Sequence, residues 1–230
     1  MTNKQVGILF HGQTFHLNGD GTLYWPDEAT LIVSDMHLEK GAALSKGAPL
    51  PQFDTIDTLQ RLNERLQIDK PQTLICLGDS FHSTERAFRL PPHYVSMISE
   101  IAEKTKIIWI TGNHDAQLPN RLFGSAQDEF VKHNIRFCHE ADGMPLRPTI
   151  SGHLHPKARV KLRARRLSAR CFVQSDLNLI LPAFGSYTGG LNITDDAFSD
   201  HMSQQTKIHL IHDDMTYSLP YRPSVFQKDK

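Results

Sequence analysis

Three continuous apolar runs, each followed directly by a cluster of polar side chains, constrain this chain more than any other feature of its sequence. The runs and their clusters read "TLIVSDMH", "TLICLGDS" and "KIIWITGNHD", at residues 30–37, 73–80 and 106–115. Unbroken apolar runs are typical of strands buried on both faces. Because helical patterns separate the runs, we expect parallel strands joined by right-handed crossovers, with the polar clusters at the carboxyl ends of the strands.

The two helical patterns are amphipathic. Their apolar side chains recur at helical spacing: Ile56, Leu59, Leu62 and Leu66 in residues 54–68, and Tyr94, Ile98 and Ile101 in residues 92–104. Each pattern predicts a helix that packs one face on the sheet.

Shorter strand patterns lie on either side of this central unit. "VGILF", "TFHL" and "TLYW" near the N-terminus are typical of a small antiparallel meander. After "QDEFVKH" (127–133), which has a helical pattern, strand patterns return from "IRFCHE" to "KIHLIHD". We therefore predict an α/β fold, a four-layer α-β-β-α sandwich in which two mixed β-sheets pack face to face with helices outside. One domain is expected over residues 1–222, followed by a flexible tail over 223–230.

Composition limits the function classes. The 230 residues are 39% hydrophobic, enough for one substantial core, and 25 basic residues balance 25 acidic ones. No global charge points to nucleic acid or membrane, so any attraction must be local. The three cysteines form no C-x-x-C pair, which argues against a disulfide framework and a thiolate metal site. No apolar run reaches the roughly 18 residues of a membrane span, and we expect a cytoplasmic protein with no membrane partner.

The polar clusters contain side chains that bind metal ions. These side chains are Asp35 and His37, Asp79, Asn113 and, in "SGHLH", His153 and His155. Carboxylate, amide and imidazole groups together suit Mn²⁺, Fe²⁺ or Zn²⁺ better than copper(I) or an iron–sulfur cluster. They are too many for one ion, whereas two ions about 3.5 to 4 Å apart, bridged by a carboxylate, would use them all.

Each motif alone has an ordinary structural explanation. D-x-H is common as a strand-end cap, G-D as a turn and G-N-H-D as a loop. Their occurrence in order, each at the end of an apolar strand, favours a shared metal site over a set of independent turns.

The motifs "DMH", "GDS", "GNHD" and "GHLH" together resemble those of the calcineurin-like metallophosphoesterase superfamily, over about residues 31–156. The phrases "SDMHLEKGAAL", "LPQFDT", "LGDSFH", "GHLHPKA" and "LPAFGSYTGGL" resemble, more narrowly, the bacterial ligase-associated DNA damage response endonucleases of the PdeM type. The resemblance implies two divalent metal ions, with Mn as the first expectation and Fe or Zn as alternatives.

The resemblance also implies two sets of metal ligands. One ion would be held by Asp35, His37, Asp79 and His155, and the other by Asp79, Asn113, a further histidine and His153. For the further histidine we choose His139, which follows the strand pattern "IRFC", over His133, which lies in a helical pattern.

His114 stands outside both ligand sets, and the resemblance places it over the scissile phosphate as a proton donor or a charge-neutralising group. We expect Asp115 to orient the His114 ring, although a turn or helix cap explains this carboxylate equally well. His82 lies close to Asp79 in sequence and is a candidate for substrate contact.

The sequence "PKARVKLRARR" follows the last of these histidines. Its cations alternate with apolar residues, which in one strand would place five on one face: Lys157, Arg159, Lys161, Arg163 and Arg165. This ridge could track a phosphate backbone, or it could be a solvated outer strand whose charges discourage edge pairing. Lys40 and Lys46, in the loop after His37, could form a second wall of the groove.

We therefore expect a binuclear metal-dependent phosphodiesterase in which a metal-activated water attacks the phosphodiester bond, acting as a DNA repair endonuclease without sequence preference. The resemblance further implies a functional link to an ATP-dependent DNA ligase and a helicase. Two alternatives stay open on the sequence alone. One is a small-molecule phosphomonoesterase or nucleotide pyrophosphatase on the same site, and the other is a nucleic-acid-binding scaffold that holds the metals structurally. The Gly-rich segment 185–190 either lines the site or turns beneath it.

Overall fold

The structure is a computed structural model that describes residues 5–44, 53–143, 145–162 and 165–227. Seven strands form the first sheet, in the order of the sequence. They are β1 (Val6–Phe10), β2 (Gln13–Leu17), β3 (Leu23–Trp25), β4 (Thr30–Val33), β5 (Thr73–Leu77), β6 (Lys106–Ile110) and β7 (Ser125–Gln127).

The first sheet has the predicted strand directions. β1 to β4 pair antiparallel as a meander, and β4 to β7 pair parallel. Val33 lies level with Cys76, and Cys76 with Trp109, so the three central strands end side by side. This register brings the three polar clusters to one edge of the sheet.

Four helices connect or flank these strands in the described part of the chain. They are α1 (Lys40–Leu44), α2 (Phe53–Asp69), α3 (Thr84–Phe88) and α4 (Pro92–Ala102). The two helices predicted from apolar periodicity are confirmed as α2 and α4. Leu59 and Leu62 of α2 and Ile98 of α4 are buried against the outer face of the first sheet, which explains why the periodicity located them.

The second sheet contains nine strands. They are β8 (Glu129–Lys132), β9 (Ile135–Cys138), β10 (Thr149–Ser151), β11 (Pro156–Leu162), β12 (Arg165–Gln174), β13 (Asn178–Ile180), β14 (Leu191–Asn192), β15 (Lys207–His212) and β16 (Met215–Pro220). Seven of them run in the order β14-β11-β12-β13-β10-β9-β8, while β15 pairs with β12 and β16. Both parallel and antiparallel pairs occur, so this sheet is mixed, as predicted.

The two sheets face each other across a shared apolar core. Trp25 and Ile75 of the first sheet pack in one cluster with Phe137, Phe172 and Leu179 of the second. Each is almost fully buried, and burial of such a side chain stabilises the fold by roughly 1.5 to 3 kcal/mol. The α/β class with two facing mixed sheets is confirmed.

The outermost layers differ between the two sheets. The four α-helices of the described residues pack on the outer face of the first sheet or lie beside it. The outer face of the second sheet is covered by a 3-10 helix, Asp196–His201, whose Phe198 is buried against it. Phe226 packs in the same layer and bridges to Val160 of β11. The fourth layer is therefore thinner than the α-helical layer that we expected.

One local prediction is wrong. Residues 129–132 of the segment with a helical pattern form strand β8, because they pair antiparallel with β9, and His133 lies in the turn between the two strands. Near the end of the described residues, Phe226 is buried and the Gln227 N–H donates to the Arg159 carbonyl. Among the described residues, no helix has the length and apolar character needed to cross a membrane.

Candidate metal centre

The predicted ligands all follow the carboxyl ends of strands, where ligands bind in open α/β sheets. Asp35 and His37 follow β4, Asp79 follows β5, Asn113 follows β6, His139 follows β9, and His153 and His155 follow β10. Because the two sheets face each other, the loops of the second sheet meet those of the first. The structure thus brings together side chains that are up to 120 residues apart in sequence.

One group of ligand atoms surrounds Asp35. The His155 Nε2 atom lies 3.1 Å from the Asp35 Oδ1 atom and 3.4 Å from the His37 Nε2 atom. Ligand atoms of all three side chains lie within 4.8 Å of one another. Together with Asp79, these are the residues predicted for the first metal ion.

A second group surrounds His139. The His139 Nε2 atom lies 2.8 Å from Asn113 Oδ1, 3.1 Å from His153 Nδ1 and 3.3 Å from Asp79 Oδ2. These are the residues predicted for the second ion. The rejected alternative, His133, lies elsewhere and pairs with Glu28 through a 2.6 Å contact.

Asp79 joins the two groups. Its Oδ2 atom lies 3.3 Å from His139 Nε2 and 3.9 Å from His37 Nε2, and its Oδ1 atom accepts a 2.9 Å hydrogen bond from the His114 N–H. One carboxylate oxygen therefore faces both groups, as a bridging ligand must.

The protonation of His139 provides a test of whether a cation fits here. Its Nδ1 atom lies 3.0 Å from the Leu77 carbonyl oxygen, which only accepts, so Nδ1 carries the proton. The lone pair of Nε2 then points at the Asp79 carboxylate, and two acceptors in contact require a positive charge between them. A divalent ion at this point satisfies both groups, and a histidine that donates its other N–H to a carbonyl is the usual metal-ligand arrangement.

The charges of the buried groups agree with this interpretation. Burial lowers the pKa of His37 to about 4, against the opposing pull of Asp35 and Asp79, so this imidazole is neutral and able to ligate. Burial alone would raise the pKa of Asp79, but the hydrogen bond and charge of His139 lower it to about 2. Burial lowers the pKa of His139, but Asp79 and Asp35 outweigh it and raise the value to about 9, so the position between these side chains favours a positive charge.

The backbone at the site is strained. Five of the seven predicted ligands have a positive φ: Asp35 (51°), His37 (44°), Asp79 (46°), His153 (68°) and His155 (45°). Non-glycine residues in this conformation each cost on the order of 1 kcal/mol or more, and such residues concentrate at functional sites. The backbone therefore bends sharply so that each side chain points into the centre.

Glycines allow the close approach of the loops. A Cβ atom on Gly112 would overlap the Asp79 carboxylate, and one on Gly152 would overlap the Asp35 carboxylate. These positions admit no larger residue without displacing a candidate ligand.

His114 lies at the rim, with 42% of its side chain exposed and its Nε2 atom 4.0 Å from Asp79 Oδ2. Its Nδ1 atom lies 3.0 Å from the His82 carbonyl oxygen and therefore donates to it. The Nε2 atom is the one left to face a substrate. The orienting group is thus the backbone of His82, a contact that the sequence analysis missed because any residue type supplies a carbonyl.

Asp115 makes its hydrogen bonds with backbone N–H groups, as in the capping alternative, rather than with the His114 ring. Its Oδ1 atom accepts from the Asp79 N–H (3.1 Å) and the Gly112 N–H (2.9 Å), and its Oδ2 atom accepts from the Phe81 N–H (3.0 Å). The side chain is fully buried and does not contact the His114 ring. Asp115 instead ties together the loops after β5 and β6, and so it positions Asp79.

The Gly-rich segment lies against the loops of the first ligand group. The Gly185 N–H donates to the Asp35 carbonyl (3.1 Å), and the Leu191 N–H donates to the His155 carbonyl (3.2 Å). Arg61 of α2 donates to the Phe184 carbonyl and lies 4.6 Å from the centre of its ring. The segment and the neighbouring Leu191 therefore support the backbone of two candidate ligands.

The basic ridge is shorter than predicted. Lys157, Arg159 and Lys161 lie on one face of β11, while Ala158 and Val160 between them are buried on the other. Arg163 lies outside the described residues, as does Lys46 of the predicted second wall. Arg165 begins the returning strand β12, opposite Leu162, so the five cations do not share one strand. The hairpin supplies Arg166 opposite Lys161 on the same face instead.

Known proteins were compared with the chain. The profile of the calcineurin-like phosphoesterase family matches residues 29–224. The crystal structure of Pseudomonas putida nuclease MPE is similar, with 30% identity, a TM-score of 0.73, and coverage of 94% of this chain and 100% of that one. Yfce, a phosphoesterase from E. coli, matches at 13% identity and a TM-score of 0.43, over 83% of this chain and 98% of that one. A search of curated proteins gives no match. The family profile and the geometry of the centre agree, and the chain therefore belongs to the calcineurin-like phosphoesterases, enzymes that hydrolyse phosphate esters.

Proposed function

We propose that this chain is a binuclear metal-dependent phosphodiesterase that cleaves DNA without sequence preference. The observation that carries the proposal is the placement of Asp79, whose single carboxylate faces both groups of ligand atoms. A pair of divalent ions bridged by one carboxylate is the arrangement that clamps both sides of an in-line displacement at phosphorus.

The candidate ligands would bind two ions. Asp35, His37, His155 and Asp79 would hold one ion, and Asp79, Asn113, His139 and His153 the other. Divalent ions in such a centre supply hydroxide at neutral pH and withdraw charge from the phosphoryl oxygens. Mn²⁺ is the first candidate, because carboxylate, amide and imidazole ligands suit it, with Fe²⁺ and Zn²⁺ as alternatives.

His114 would act on the leaving side. Because its Nδ1–H is held by the His82 carbonyl, the Nε2 atom faces the open rim of the site. From there it would donate a proton or a hydrogen bond to a phosphate oxygen. Neither Ser80 nor any cysteine is needed as a nucleophile; Ser80 is buried, and so are all three cysteines.

Two observations support DNA as the substrate. The similar structure from Pseudomonas putida is described as a nuclease. In addition, the strand that carries Lys157, Arg159 and Lys161 begins directly after the candidate ligand His155, so cations lead away from the centre. A neutral protein with such a local ridge attracts a phosphate backbone without reading bases. A cytoplasmic role in DNA repair, with a link to an ATP-dependent DNA ligase and a helicase, stays a prediction from the family resemblance.

The test uses the purified chain loaded with Mn²⁺, bis-p-nitrophenyl phosphate and single-stranded DNA. We expect hydrolysis of both substrates, and we expect His37→Ala, Asp79→Ala and Asn113→Ala each to abolish it. His133→Ala serves as the matched control because its imidazole lies outside the centre.

Other outcomes would point elsewhere. Cleavage of p-nitrophenyl phosphate in strong preference to the diester, with no competition from DNA, would indicate a phosphomonoesterase. Tight metal binding without hydrolysis under any divalent ion would indicate a structural centre. Full activity in all three alanine variants would refute the proposed site.

A further inference from the structure

Two loop segments lie side by side at the rim of the centre. The Leu38 N–H donates to the Ser80 carbonyl and the His82 N–H donates to the Leu38 carbonyl, each at 2.9 Å, and Leu38 bridges Phe81 in parallel register. Lys40, the first residue of α1, follows Leu38 by two residues on one segment, and His82 follows Phe81 on the other. The backbone of both residues therefore lies next to the loops that carry His37 and Asp79.

The His82 ring lies beside the ring of His114, near the first ligand group. The two ring centres are 5.7 Å apart with their planes 30° apart, and the His82 ring centre is 6.4 Å from that of His37. The His82 Nδ1 atom is buried and has no hydrogen-bond partner in the described part of the chain. A buried N–H without a partner is more costly than a buried lone pair, so the proton belongs on Nε2, at the accessible edge of the ring.

Basic groups lie near the His82 ring. Burial lowers the pKa of His82, and the next causes are the nearby His114, Lys40 and Arg86. The acidic neighbours do not face the opening. Glu39 is buried with its carboxylate near Arg86 and Thr55, and Asp54 is buried and accepts from the Gly41 N–H.

The second ligand group has an exposed acidic neighbour. Beside the second ligand group, the Glu140 Oε1 atom lies 3.6 Å from His153 Nε2, and the Glu140 side chain is 67% exposed. A polyanion that crosses the centre would be repelled at this rim and attracted at the rim of His82. The substrate thus has an electrostatic reason to extend in one direction.

We propose that His82 and Lys40 form a subsite for the phosphate next to the scissile one, with His82 Nε2–H and the Lys40 ammonium as donors. The proposal rests on the proposed diesterase function and adds a preference for phosphodiesters with a neighbouring phosphate, as in a nucleic acid strand. A diester with a single phosphate leaves this subsite empty. His82 then acts twice, because its carbonyl orients His114 while its ring selects the substrate.

The experiment compares dinucleotides on the Mn²⁺-loaded chain: TpT, pTpT and TpTp. We expect kcat/KM for one of the two terminally phosphorylated forms to exceed that for TpT by about tenfold. His82→Gln and Lys40→Gln should each reduce this preference toward one. Lys104→Gln, a change of an exposed lysine beyond the end of α4, should leave it intact.

Calorimetric binding of the three dinucleotides is measured in parallel. If no dinucleotide is hydrolysed, the proposed diesterase function fails, while the binding preference still reports on the subsite. Three results would overturn the subsite. The first is the absence of any preference for a terminally phosphorylated dinucleotide in the unaltered chain. The second is a preference that persists in both His82→Gln and Lys40→Gln. The third is an equal fall of kcat/KM for all three dinucleotides in His82→Gln, with their relative binding affinities unchanged. The last result would assign His82 only to the positioning of His114.

Discussion

The Nδ1 atom of His139 lies 3.0 Å from the carbonyl oxygen of Leu77, the last residue of β5. Leu77 precedes Asp79 by two residues, so the end of β5 has two roles. Its carbonyl holds the proton of His139 on Nδ1, and the carboxylate of Asp79 faces the Nε2 atom of the same ring. The two sheets are joined at this point by the centre itself.

His139→Ala should therefore lower the number of bound metal ions from two to one per chain. The ring supplies a ligand to only one of the two groups, and kcat/KM should fall on the order of a hundredfold or more. Elemental analysis of the Mn²⁺-loaded chain measures the number of ions. His133→Ala is the control, and a count of two in both variants would exclude His139 as a ligand.

Gly112→Ala should abolish most activity. The added methyl group would overlap the Asp79 carboxylate and backbone, which must move to admit it. We expect kcat/KM for bis-p-nitrophenyl phosphate to fall at least about a hundredfold, because displacement of a positioned group by 1 Å has effects of this size. Gly189→Ala, where nothing lies within 4 Å of the new atom, should stay near the unaltered rate. Equal rates in the two variants would contradict the packing described here.

Asp115→Asn should destabilise the fold. The carboxylate accepts three backbone hydrogen bonds, and an amide would direct its NH₂ group at one of those donors. Loss of a buried acceptor costs about 1 to 3 kcal/mol, measurable as a shift in the urea midpoint. Asp128→Asn, at an exposed carboxylate bonded to Thr111, should change stability by less than about 0.5 kcal/mol. Equal effects would argue against the bracing role of Asp115.

His209 should make stability depend on pH far from the centre. Its ring lies between Ser218 and Gln174, and burial, followed by the charge of Lys207, lowers its pKa from 6.5 to about 4. The unfolded chain therefore binds a proton between pH 6.5 and 4 that the folded chain does not. Stability present above pH 6.5 is lost as the pH falls through this window, by about 2 kcal/mol between pH 7 and pH 5.

His209→Gln should remove that part of the pH dependence. Urea unfolding at pH 7 and pH 5 gives the two free energies for each chain, and His212→Gln, at an exposed ring, is the control. The same pH slope in His209→Gln and in the unaltered chain would show that this ring does not carry the effect.

The cations of β11 should determine how DNA binding depends on salt. Each phosphate contact on a single strand contributes about 0.7 to the slope of log K against log salt. Lys157→Gln combined with Lys161→Gln should reduce the slope by about 1.4, and Lys104→Gln should not change it. Fluorescence anisotropy with a labelled oligonucleotide over a range of salt concentrations measures the slope. An unchanged slope in the double variant would show that these lysines do not contact the DNA phosphates.

Much of the fold follows from local pattern. The runs that became β4, β5 and β6 are apolar on both faces because both faces are covered, and their register follows from parallel pairing. The helix predicted over 127–133 was wrong because pairing with β9 holds residues 129–132 as strand β8. The sequence of a short segment does not indicate such a pairing by itself. The bridge between Phe226 and Val160 is likewise a contact between distant parts of the chain, which no local pattern indicates.

The candidate centre was predictable where side-chain chemistry defines it and not where the backbone does. Aspartate and histidine at strand ends are visible in a sequence, and the structure brings them together. The carbonyls of Leu77 and His82, which hold two of the imidazoles, have no sequence signature. The role of Asp115 was missed for the same reason, since its partners are backbone N–H groups from three residues.

The left-handed backbone at Asp35, His37, Asp79, His153 and His155 has a consequence for engineering. Glycine would relieve the backbone strain at each of these positions, but it would also remove the candidate metal ligand. Substitutions that relieve strain at these positions should therefore raise the melting temperature but abolish the activity. Thermostabilising substitutions should instead be made in the core between the sheets and on the outer helices.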